Sequence, residues 1–507
     1  MTKSQSACAY AGLSGTHFVW LLVCLGVVLA VYFPTFWGEW IYDDLPVIVK
    51  NPDIQSFSNF LKDTYPGRPL RELTYLLDYQ FFGLEPWGYR IQNILWHGLN
   101  AWLLLLLLRA LGASGVLTWG GALFFALHPL AVEVVAQTSH RKDSLALCFA
   151  LLSLLFYIRG SKSQRQPLWL LAAGIAAVVS LQAKQVAYGI PILWAIYEYG
   201  WVAKERRLLW RFARLGLWII PPVVAFGGLW WWFYGGGAEF YFTKAQVHLA
   251  ASLGVYLPPG NYELYLLMVL KSWAFMGLRL IWPLNLAVQY KYPPPEGWGD
   301  PYVVAAIVFL LLLVAVLIWG YRKNPLVLLG GALFCLFWLP ASGLLPLSYL
   351  SADRYMYAPL AGLAICLAGG LCALRLNPKM LLPPLGIVLL LFGWLAHQQV
   401  KTWENEETLW GQSLKVSPTS TYALNNLGAF LIKKQRPAEA VPYLERATKN
   451  FDNPLPFYNL GRAYELSGRY QEAAKAYKSF LAYRKPEHMR EYEIIRQRFR
   501  QFYGIGI

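Results

Sequence analysis

The sequence predicts an all-α, polytopic membrane protein of about eleven spanning helices that is followed by a small helical-repeat domain. Its 507 residues are 57% hydrophobic and only 14% charged, whereas about a quarter of the residues of a soluble protein are charged. The apolar residues form long uninterrupted runs, which is typical of membrane-spanning helices. From residue 401 onward the composition becomes polar. The chain is therefore expected to divide into a membrane domain, 1–400, and a soluble domain, 401–507.

The first span covers residues 17–35 and is interpreted as an uncleaved signal anchor, because Lys3 precedes it and no small-residue cleavage site follows. Further apolar runs begin near residues 91, 115, 143, 167, 187, 215, 301, 326, 355 and 381. Short basic connectors, expected in the cytoplasm, alternate with longer connectors rich in Tyr, Trp and Pro, expected outside. The longest outer loops are 36–90 and 235–300. This alternation places the N-terminus inside and the C-terminal domain outside.

One apolar segment, 263–284, disturbs this alternation. Lys271 and Arg279 interrupt it, and one extra crossing here would place every later basic loop outside. We therefore expect an amphipathic or re-entrant helix on the outer face. If residues 240–258 also cross, the number of spans rises by two and the orientation is unchanged.

Charge, cysteines and motifs exclude several classes of protein. The net charge of +16 comes from basic residues in short loops between apolar runs, which indicates membrane topology rather than nucleic-acid binding. The six cysteines lie in the N-terminal tail or in apolar runs, so no structural disulfide is expected. The sequence has no Walker A, GxSxG, CxxC or HExxH motif, which argues against a nucleotide-driven pump or a soluble-type hydrolase.

The soluble domain contains a repeat. LNNLG recurs as FYNLG, and Gly428 and Gly461 are 33 residues apart, close to the period of about 34 in a tetratricopeptide repeat, or TPR. The predicted elements are a half repeat 405–418, repeats 421–453 and 454–486, and a basic capping helix 487–503. Small residues at these positions serve helix packing, and a TPR stack also suits the binding of a protein on its concave face. Both interpretations stay open.

The first outer loop contains WIYDDLPVIVKNPDI, which places Asp43 and Asp44 a few residues beyond the membrane edge. Two adjacent carboxylates repel each other and are poorly hydrated there, which raises the pKa of at least one of them. Such a pair suits a general base beside a hydroxyl nucleophile, or ligands of a divalent cation. A solvated Asp-Asp turn before Leu-Pro explains the same residues.

Basic residues that suit a phosphate lie in three outer connectors. Arg68 and Arg71 belong to RPLRELTYLLDYQFFG, and the guanidinium fork matches phosphate oxygens. Lys184 lies in LQAKQVAYGIP, and Arg354 lies in SADRYMYAP just before another span. Snorkelling, pairing with nearby carboxylates or anchoring at the membrane edge explains these residues as well.

The connector 128–143, HPLAVEVVAQTSHRKD, is dense in ionisable residues at an outer membrane edge. Ionisable groups at membrane depth are costly and usually have a partner or a task. We expect a cluster of carboxylate and basic groups that faces the Asp pair across a cavity and suits a phosphosugar; a salt-bridged loop is the alternative. The candidate donor-binding residues of this connector are His128, Glu133, Arg141 and Lys142.

The ordered set of motifs resembles the transmembrane and TPR-containing protein O-mannosyltransferases and their bacterial relatives. The set comprises YDD, RPL, HxxN, HPLxxE with RKD, a Lys connector, RYMYAP and the C-terminal TPRs. These enzymes belong to the GT-C class of membrane glycosyltransferases, which use polyprenyl-phosphate-linked sugars. The resemblance covers most of the chain and implies a GT-C-like fold for 1–400. The chain departs from the family where Lys184-Gln185 replaces a frequent Lys-Glu, and where Asp353 replaces a common Glu.

The resemblance implies a mechanism. In GT-C enzymes an acidic motif of the first outer loop carries catalysis, which implies that Asp43 or Asp44 takes the proton from a Ser or Thr hydroxyl of an acceptor protein. Arg354, Arg68 and Lys184 would hold the phosphate of the donor during an inverting transfer. No cofactor is assigned, and a divalent metal, which some GT-C enzymes use, stays open. The TPR stack would present the acceptor protein.

Other functions stay open at this point. A GT-C transferase could act on a glycan or a lipid instead of a protein. A membrane-anchored TPR scaffold without enzymatic activity would leave the ionisable clusters unexplained. A transporter is disfavoured, because the ionisable residues gather at one face and the spans show no internal repeat. The short TPR array favours a bacterial inner membrane as the location.

Overall fold

The computed structural model describes residues 15–63, 67–202, 261–344, 349–449, 454–482, 489 and 492–497. Within these ranges all regular structure is helical, which confirms the predicted all-α class. The expected span near 215, the segment 240–258, the basic connector after residue 202 and most of the capping helix lie outside the described residues.

Eight helices of the described part are long and apolar enough to cross a membrane, and a bent pair of helices forms a ninth candidate span. The eight are α1 (Gly15–Tyr32), α4 (Pro86–Ala110), α7 (Arg141–Lys162), α8 (Gln166–Ala183), α10 (Tyr262–Ile281), α11 (Pro301–Lys323), α13 (Tyr357–Ala373) and α14 (Pro378–Lys401). The bent pair is α5 (Gly115–Leu127) and α6 (Val132–Ala136). Shorter apolar helices are α9 (Ile190–Tyr197) and α12 (Pro325–Trp338). The chain is a multi-pass membrane protein.

Two helices of the first outer loop, α2 (Phe57–Asp63) and α3 (Pro69–Phe82), precede α4. Helix α3 begins directly after Arg68 with a proline at its first position, where the missing N–H needs no partner within the helix. It packs against α4, α7 and α8. Helix α3 thereby lies against three candidate spans.

The helical structure is interrupted between α5 and α7, and this interruption, called the break below, positions the polar connector. His128 ends α5 and caps the following turn, and α6 continues at an angle of 50° to α5. A turn of 3₁₀-helix at Thr138–His140 separates α6 from α7. Breaks of this kind expose backbone and side-chain polar groups at membrane depth, where they line a cavity or bind a ligand.

The segment that disturbed the predicted topology forms α10, a continuous helix of 20 residues that packs against α11. Both charges that interrupt it have partners. The Lys271 ammonium lies 2.8 Å from the Asp300 carboxylate, and the Arg279 guanidinium stacks on the rings of Phe275 and Tyr290. Paired charges of this kind are tolerated in an apolar helix. The structure therefore gives a helix of spanning length where a re-entrant or amphipathic helix was expected.

The C-terminal domain is a stack of antiparallel helices: α15 (Glu406–Val416), α16 (Thr421–Lys433), α17 (Pro437–Ala447), α18 (Leu455–Leu466) and α19 (Tyr470–Leu481). Its two repeated glycines let paired helices approach closely. A Cβ at Gly428 would lie 2.5 Å from Leu444 Cγ, and one at Gly461 would lie 2.4 Å from the Tyr477 ring. The predicted repeat packing is confirmed.

The helical-repeat stack is attached to the first outer loop. The backbone N–H of Glu39 donates to the carbonyl oxygen of Glu404 at 2.8 Å. The Tyr42 ring contacts Trp410 of α15 and Tyr422 of α16 edge-on, at centroid distances of 5.3 and 6.4 Å. The acidic pair of the first outer loop and the repeat stack therefore lie on the same side of the molecule.

Candidate functional site

The acidic pair is split by the structure into a half-buried and a fully buried carboxylate. Tyr42 has a φ of 50°, which turns the chain so that Asp44 lies inside the molecule and Asp43 at its edge. Oδ1 of Asp44 accepts a hydrogen bond of 2.7 Å from the backbone N–H of Ser139. Among the described residues, nothing hydrogen-bonds Oδ2 of Asp44. One carboxylate oxygen is thus held in place while the other is left to act on a substrate.

The surroundings of Asp44 set its acidity. Burial raises its pKa to about 6, and the negative charge of Asp43 acts in the same direction. The Ser139 N–H, the nearby Arg90 guanidinium and the Ser139 hydroxyl lower the pKa and so oppose this effect. A carboxylate whose pKa lies close to neutral pH is suited to general-base catalysis.

Arg90 was not identified from the sequence, and it anchors the loop that carries the acidic pair. Its guanidinium donates to the carbonyl oxygens of Thr35, at 2.7 Å, and Glu39. Gly38 makes this possible, because a Cβ there would lie 2.3 Å from Nη1 of Arg90. The position of a charged Arg90 near the start of an apolar helix was the signal available in the sequence.

A second carboxylate, Glu133, is bound to Arg354. Glu133 Oε1 lies 2.5 Å from Nη1 of Arg354, and Oε2 accepts the backbone N–H of Arg354 at 2.8 Å. His140 Nε2 lies 3.7 Å from the same Oε1. The structure thereby brings the HPLxxE and RYMYAP motifs, which are 221 residues apart, into direct contact.

Three basic side chains, Lys142, Lys184 and Arg68, lie near the start of α7. Lys184 Nζ lies 2.5 Å from Oδ1 of Asp143, and Lys142 Nζ donates to the Ser139 carbonyl oxygen at 3.2 Å. Arg68 lies close enough to Lys142 to repel it electrostatically. Ser139 thus contacts both Asp44, through its N–H, and Lys142, through its carbonyl oxygen, while Lys184 is paired with Asp143. Because positive charges outnumber carboxylates here, the cluster suits an anion.

Three of the predicted donor-binding residues are engaged with other parts of the protein. Arg71 forms an ion pair with Glu72. The Arg141 guanidinium is fully buried and donates to four groups: Asp78 at 2.5 Å, Asn93 at 2.8 Å, Tyr89 O at 2.8 Å and Thr74 at 3.3 Å. His128 uses both ring nitrogens, on Leu280 O and Leu130 N–H, each at 3.2 Å.

The residues described do not fit a metal centre. No three His, Cys, Asp or Glu side chains in the described ranges come together as a set of ligands. Asp44 offers one unbound oxygen, and its neighbours on the break are a hydroxyl, an amide and an imidazole. No step of the chemistry below is therefore assigned to a metal.

Comparisons with known proteins agree with the repeat domain. Two tetratricopeptide-repeat family models match the chain, at residues 421–451 and 457–487. Both matches coincide with the helix pairs α16–α17 and α18–α19. No solved structure matches the chain.

Two of the curated relatives match about nine tenths of the chain. It is 25% identical to protein O-mannosyl-transferase TMTC3 of Mus musculus, over 91% of this chain and 54% of that protein. It is 24% identical to Tmtc3 of Drosophila melanogaster, over 90% of this chain and 58% of the relative. A shorter match of 189 residues to tmtc2 of Xenopus laevis is 32% identical, over 34% of this chain and 23% of the relative. The chain spans about half the length of the relatives that it matches most fully. The resemblance predicted from the ordered motifs is confirmed: the chain is similar to protein O-mannosyl-transferases and carries TPRs.

Proposed function

We propose that this protein is a GT-C class glycosyltransferase that transfers a sugar from a polyprenyl phosphate to a Ser or Thr hydroxyl of an acceptor protein. The names of the relatives support mannose as the sugar. The observation that carries the proposal is the carboxylate of Asp44, which is buried, held through one oxygen by Ser139 and unbound at the other, while the same Ser139 accepts Lys142. A scaffold protein would gain nothing from such a group, because an unpartnered buried carboxylate destabilises the fold.

Asp44 acts as the general base. Its Oδ2 accepts the proton of the acceptor hydroxyl while the hydroxyl oxygen attacks the anomeric carbon from the face opposite the phosphate. The new bond joins the acceptor oxygen to the anomeric carbon, and the bond from that carbon to the phosphate oxygen breaks. The phosphate leaves with the electron pair, and the configuration at the anomeric carbon is inverted. Because phosphate is a stable leaving group, no strong general acid is needed.

The basic cluster stabilises the leaving phosphate. Lys142 donates to the Ser139 carbonyl oxygen, Arg68 lies near Lys142, and Lys184 and Arg354 are paired with Asp143 and Glu133. Fixed positive charges in a site of low dielectric stabilise the charge that develops in the transition state. The proposal assigns no donor contact to Arg141 or His128, whose polar atoms are already bonded within the protein.

The domain and membrane arrangement completes the proposal. Residues 1–400 form the transferase domain, and residues 401–507 form a TPR domain that presents the acceptor protein beside the site. The contacts between Tyr42, Trp410 and Tyr422 support this placement, since they join the repeat stack to the catalytic loop. The N-terminus would lie in the cytoplasm and the TPR domain outside it, in a bacterial inner membrane.

The test compares the two aspartates, which are matched in chemistry and differ in burial. The purified full-length protein is supplied with radiolabelled polyprenyl-phosphate mannose and a Ser/Thr-rich acceptor peptide. We expect Asp44→Asn to lower transfer by about 10²–10⁴-fold, the usual contribution of a general base. Asp43→Asn, the matched control, is expected to lower it far less. A melting curve establishes that both variants are folded.

Two outcomes would contradict the proposal. Equal activity of wild type and Asp44→Asn would remove Asp44 as the base. Absence of transfer by the wild type, with every donor and acceptor supplied, would favour a scaffold.

A further inference from the structure

The turn between α6 and α7, residues 137–140, concentrates buried polar side chains. Both amide atoms of Gln137, the hydroxyl of Thr138 and both ring nitrogens of His140 make no hydrogen bond with the described residues. All three side chains are almost completely buried. Buried polar groups in native proteins are nearly always bonded to protein, water or ligand. This turn is therefore built to bind something that the chain does not itself provide.

Backbone hydrogen bonds hold the same turn in place. The N–H of Gln137 donates to Glu133 O at 3.2 Å, and the N–H of His140 donates to Gln137 O at 3.2 Å. The Thr138 carbonyl oxygen accepts the Tyr75 hydroxyl at 2.7 Å. The turn is thus fixed in position while its side chains are not engaged, which is the arrangement of a preorganised binding site.

The turn lies between the base and the cations. Ser139, in the middle of the turn, holds Oδ1 of Asp44 with its N–H and accepts Lys142 with its carbonyl oxygen. His140 lies 3.7 Å from Glu133. It also experiences the positive charges of Lys142, Arg354, Lys184 and Arg68. A donor whose phosphate lies on the cations and whose anomeric carbon faces Asp44 has its sugar ring at this turn.

We propose that Gln137 and His140 bind the ring hydroxyls of the donor sugar and determine which sugar is transferred, an inference that rests on the proposed function. A hydroxyl both donates and accepts hydrogen bonds. A carboxamide offers both functions, and a neutral imidazole offers one of each. Epimers differ in the direction of a single hydroxyl, so fixed partners of this kind separate them.

The experiment measures sugar preference rather than activity alone. Wild type and variants of the full chain are supplied with polyprenyl phosphates of mannose, glucose and galactose, and kcat/KM is measured for each. We expect Gln137→Met, which keeps the length and removes both polar atoms, to lower the preference for the favoured sugar by at least ~10-fold. His140→Leu has the same effect, and His140→Gln restores part of the preference.

His97→Gln is the matched control. The ring nitrogens of His97 are both bonded, to the Tyr357 hydroxyl at 2.9 Å and to Ala126 O at 3.0 Å. We expect this variant to melt at a lower temperature and to keep the sugar preference of the wild type. A similar loss of preference in His97→Gln would mean that the measurement reports general loosening of the bundle, which would overturn the inference.

A second readout separates this inference from the proposed function. The mannosyl donor is expected to raise the melting temperature of the wild type, and to raise that of Gln137→Met much less. If the donor stabilises the wild type selectively but no sugar is transferred, the sugar-binding site is supported and the proposed transferase activity is contradicted. If transfer occurs and Gln137→Met and His140→Leu keep the preference of the wild type, the turn holds structural water and the inference falls. If the wild type neither transfers sugar nor gains stability from the donor, both the proposed function and this inference are overturned.

Discussion

The outer edge of the membrane domain and the helical-repeat stack carry the same kinds of charged side chain in opposite surroundings. Arg141 and Asp78 form an ion pair of 2.5 Å with both side chains 0% exposed. Arg436 and Glu439 form a similar pair of 2.7 Å, with side chains 39% and 57% exposed. The two geometries are alike, but only the first pair has lost its water. The comparison teaches that a short ion pair says little until the burial of its members is known.

The same contrast separates structural charges from functional ones within the membrane domain. Arg141 is buried and bonded to four groups, so it stabilises the fold. Asp44 is equally buried and bonded at one oxygen only, so it is stabilised poorly. Asp78 also has one oxygen without a hydrogen bond among the described residues, but its charge is paired with Arg141. A buried carboxylate that lacks both is the stronger candidate for a functional group.

The largest expected effect on stability is that of Arg141→Met. It leaves the Asp78 carboxylate buried without a partner, and removing one partner of a buried pair costs about 4 kcal/mol. Burial already raises the pKa of Asp78, which indicates how poorly its charge is tolerated. The unfolding free energy in detergent measures the loss. The double variant Arg141→Met/Asp78→Leu is expected to recover part of it, and no recovery would mean that the guanidinium acts through Asn93 and Tyr89 instead.

Trp410→Ala is expected to have the next largest effect. Trp410 is buried at the junction, and removing a buried Trp side chain costs about 3 kcal/mol. Because its ring contacts Tyr42, the change also loosens the turn that positions Asp44. We therefore expect a lower kcat with little change in the KM for the donor, and Trp410→Phe should restore part of the kcat.

Tyr477→Ala is the matched control for this junction. Tyr477 is as buried as Trp410 but lies in α19, in the second repeat. We expect a comparable loss of stability without a loss of kcat in the folded protein. If both variants lowered kcat equally, the junction would have no special role in holding the catalytic loop.

The pH dependence of transfer gives a smaller effect and tests Asp44 directly. The base must be deprotonated, and its pKa is raised to about 6. Transfer should therefore decrease as the pH falls through 6, by about tenfold per pH unit below that value. Asp43→Asn removes a negative charge that raises this pKa, so the acid limb of the profile should move to lower pH. An acid limb that stayed in place in Asp43→Asn and wild type alike would assign the titration to another group.

The contribution of Asp44 to the free energy of unfolding is expected to increase at low pH, where the transfer rate decreases. A carboxyl whose pKa is higher in the folded than in the unfolded protein binds its proton more tightly when folded. The Asp44 contribution thus favours the folded state at low pH, and this benefit is lost as the pH rises through about 6. Asp44→Asn should remove that part of the dependence, which melting curves at several pH values would measure.

Much of the architecture could be predicted from local patterns in the sequence. Apolar runs specify helices of spanning length, and the spacing of Gly428 and Gly461 specifies the repeat, because both signals lie within one or two helices. The pair Asp43 and Asp44 was predicted for a similar reason, since its position beside the end of a span is visible in the chain, but the sequence did not distinguish the two residues. The helix α10 was interpreted differently, because the pairing of Lys271 with Asp300 depends on a contact that the segment itself does not contain.

The roles of individual residues in the site could not be predicted in the same way. Arg141, Lys142 and His140 are neighbours in one motif, yet their surroundings differ. Arg141 is bound by Asp78, 63 residues away, whereas His140 next to it makes no hydrogen bond with the described residues. These differences arise from tertiary packing, so a motif indicates that a polar edge exists but not which member is available to a ligand.

The smallest effect on stability is expected for a substitution of the exposed ion pair in the helical-repeat stack. Arg436→Met removes ion pairs with Glu439 and Glu407 on the surface of the repeat stack, where all three side chains are more than a third exposed. Water and salt replace such partners, so the melting temperature should stay within error of the wild type. A clear destabilisation would mean that this short pair is part of the packing between α15 and α17, since Glu407 and Glu439 lie on those two helices. Burial alone would then no longer explain why the two regions differ, and the number of helices that a charge connects would have to be considered as well.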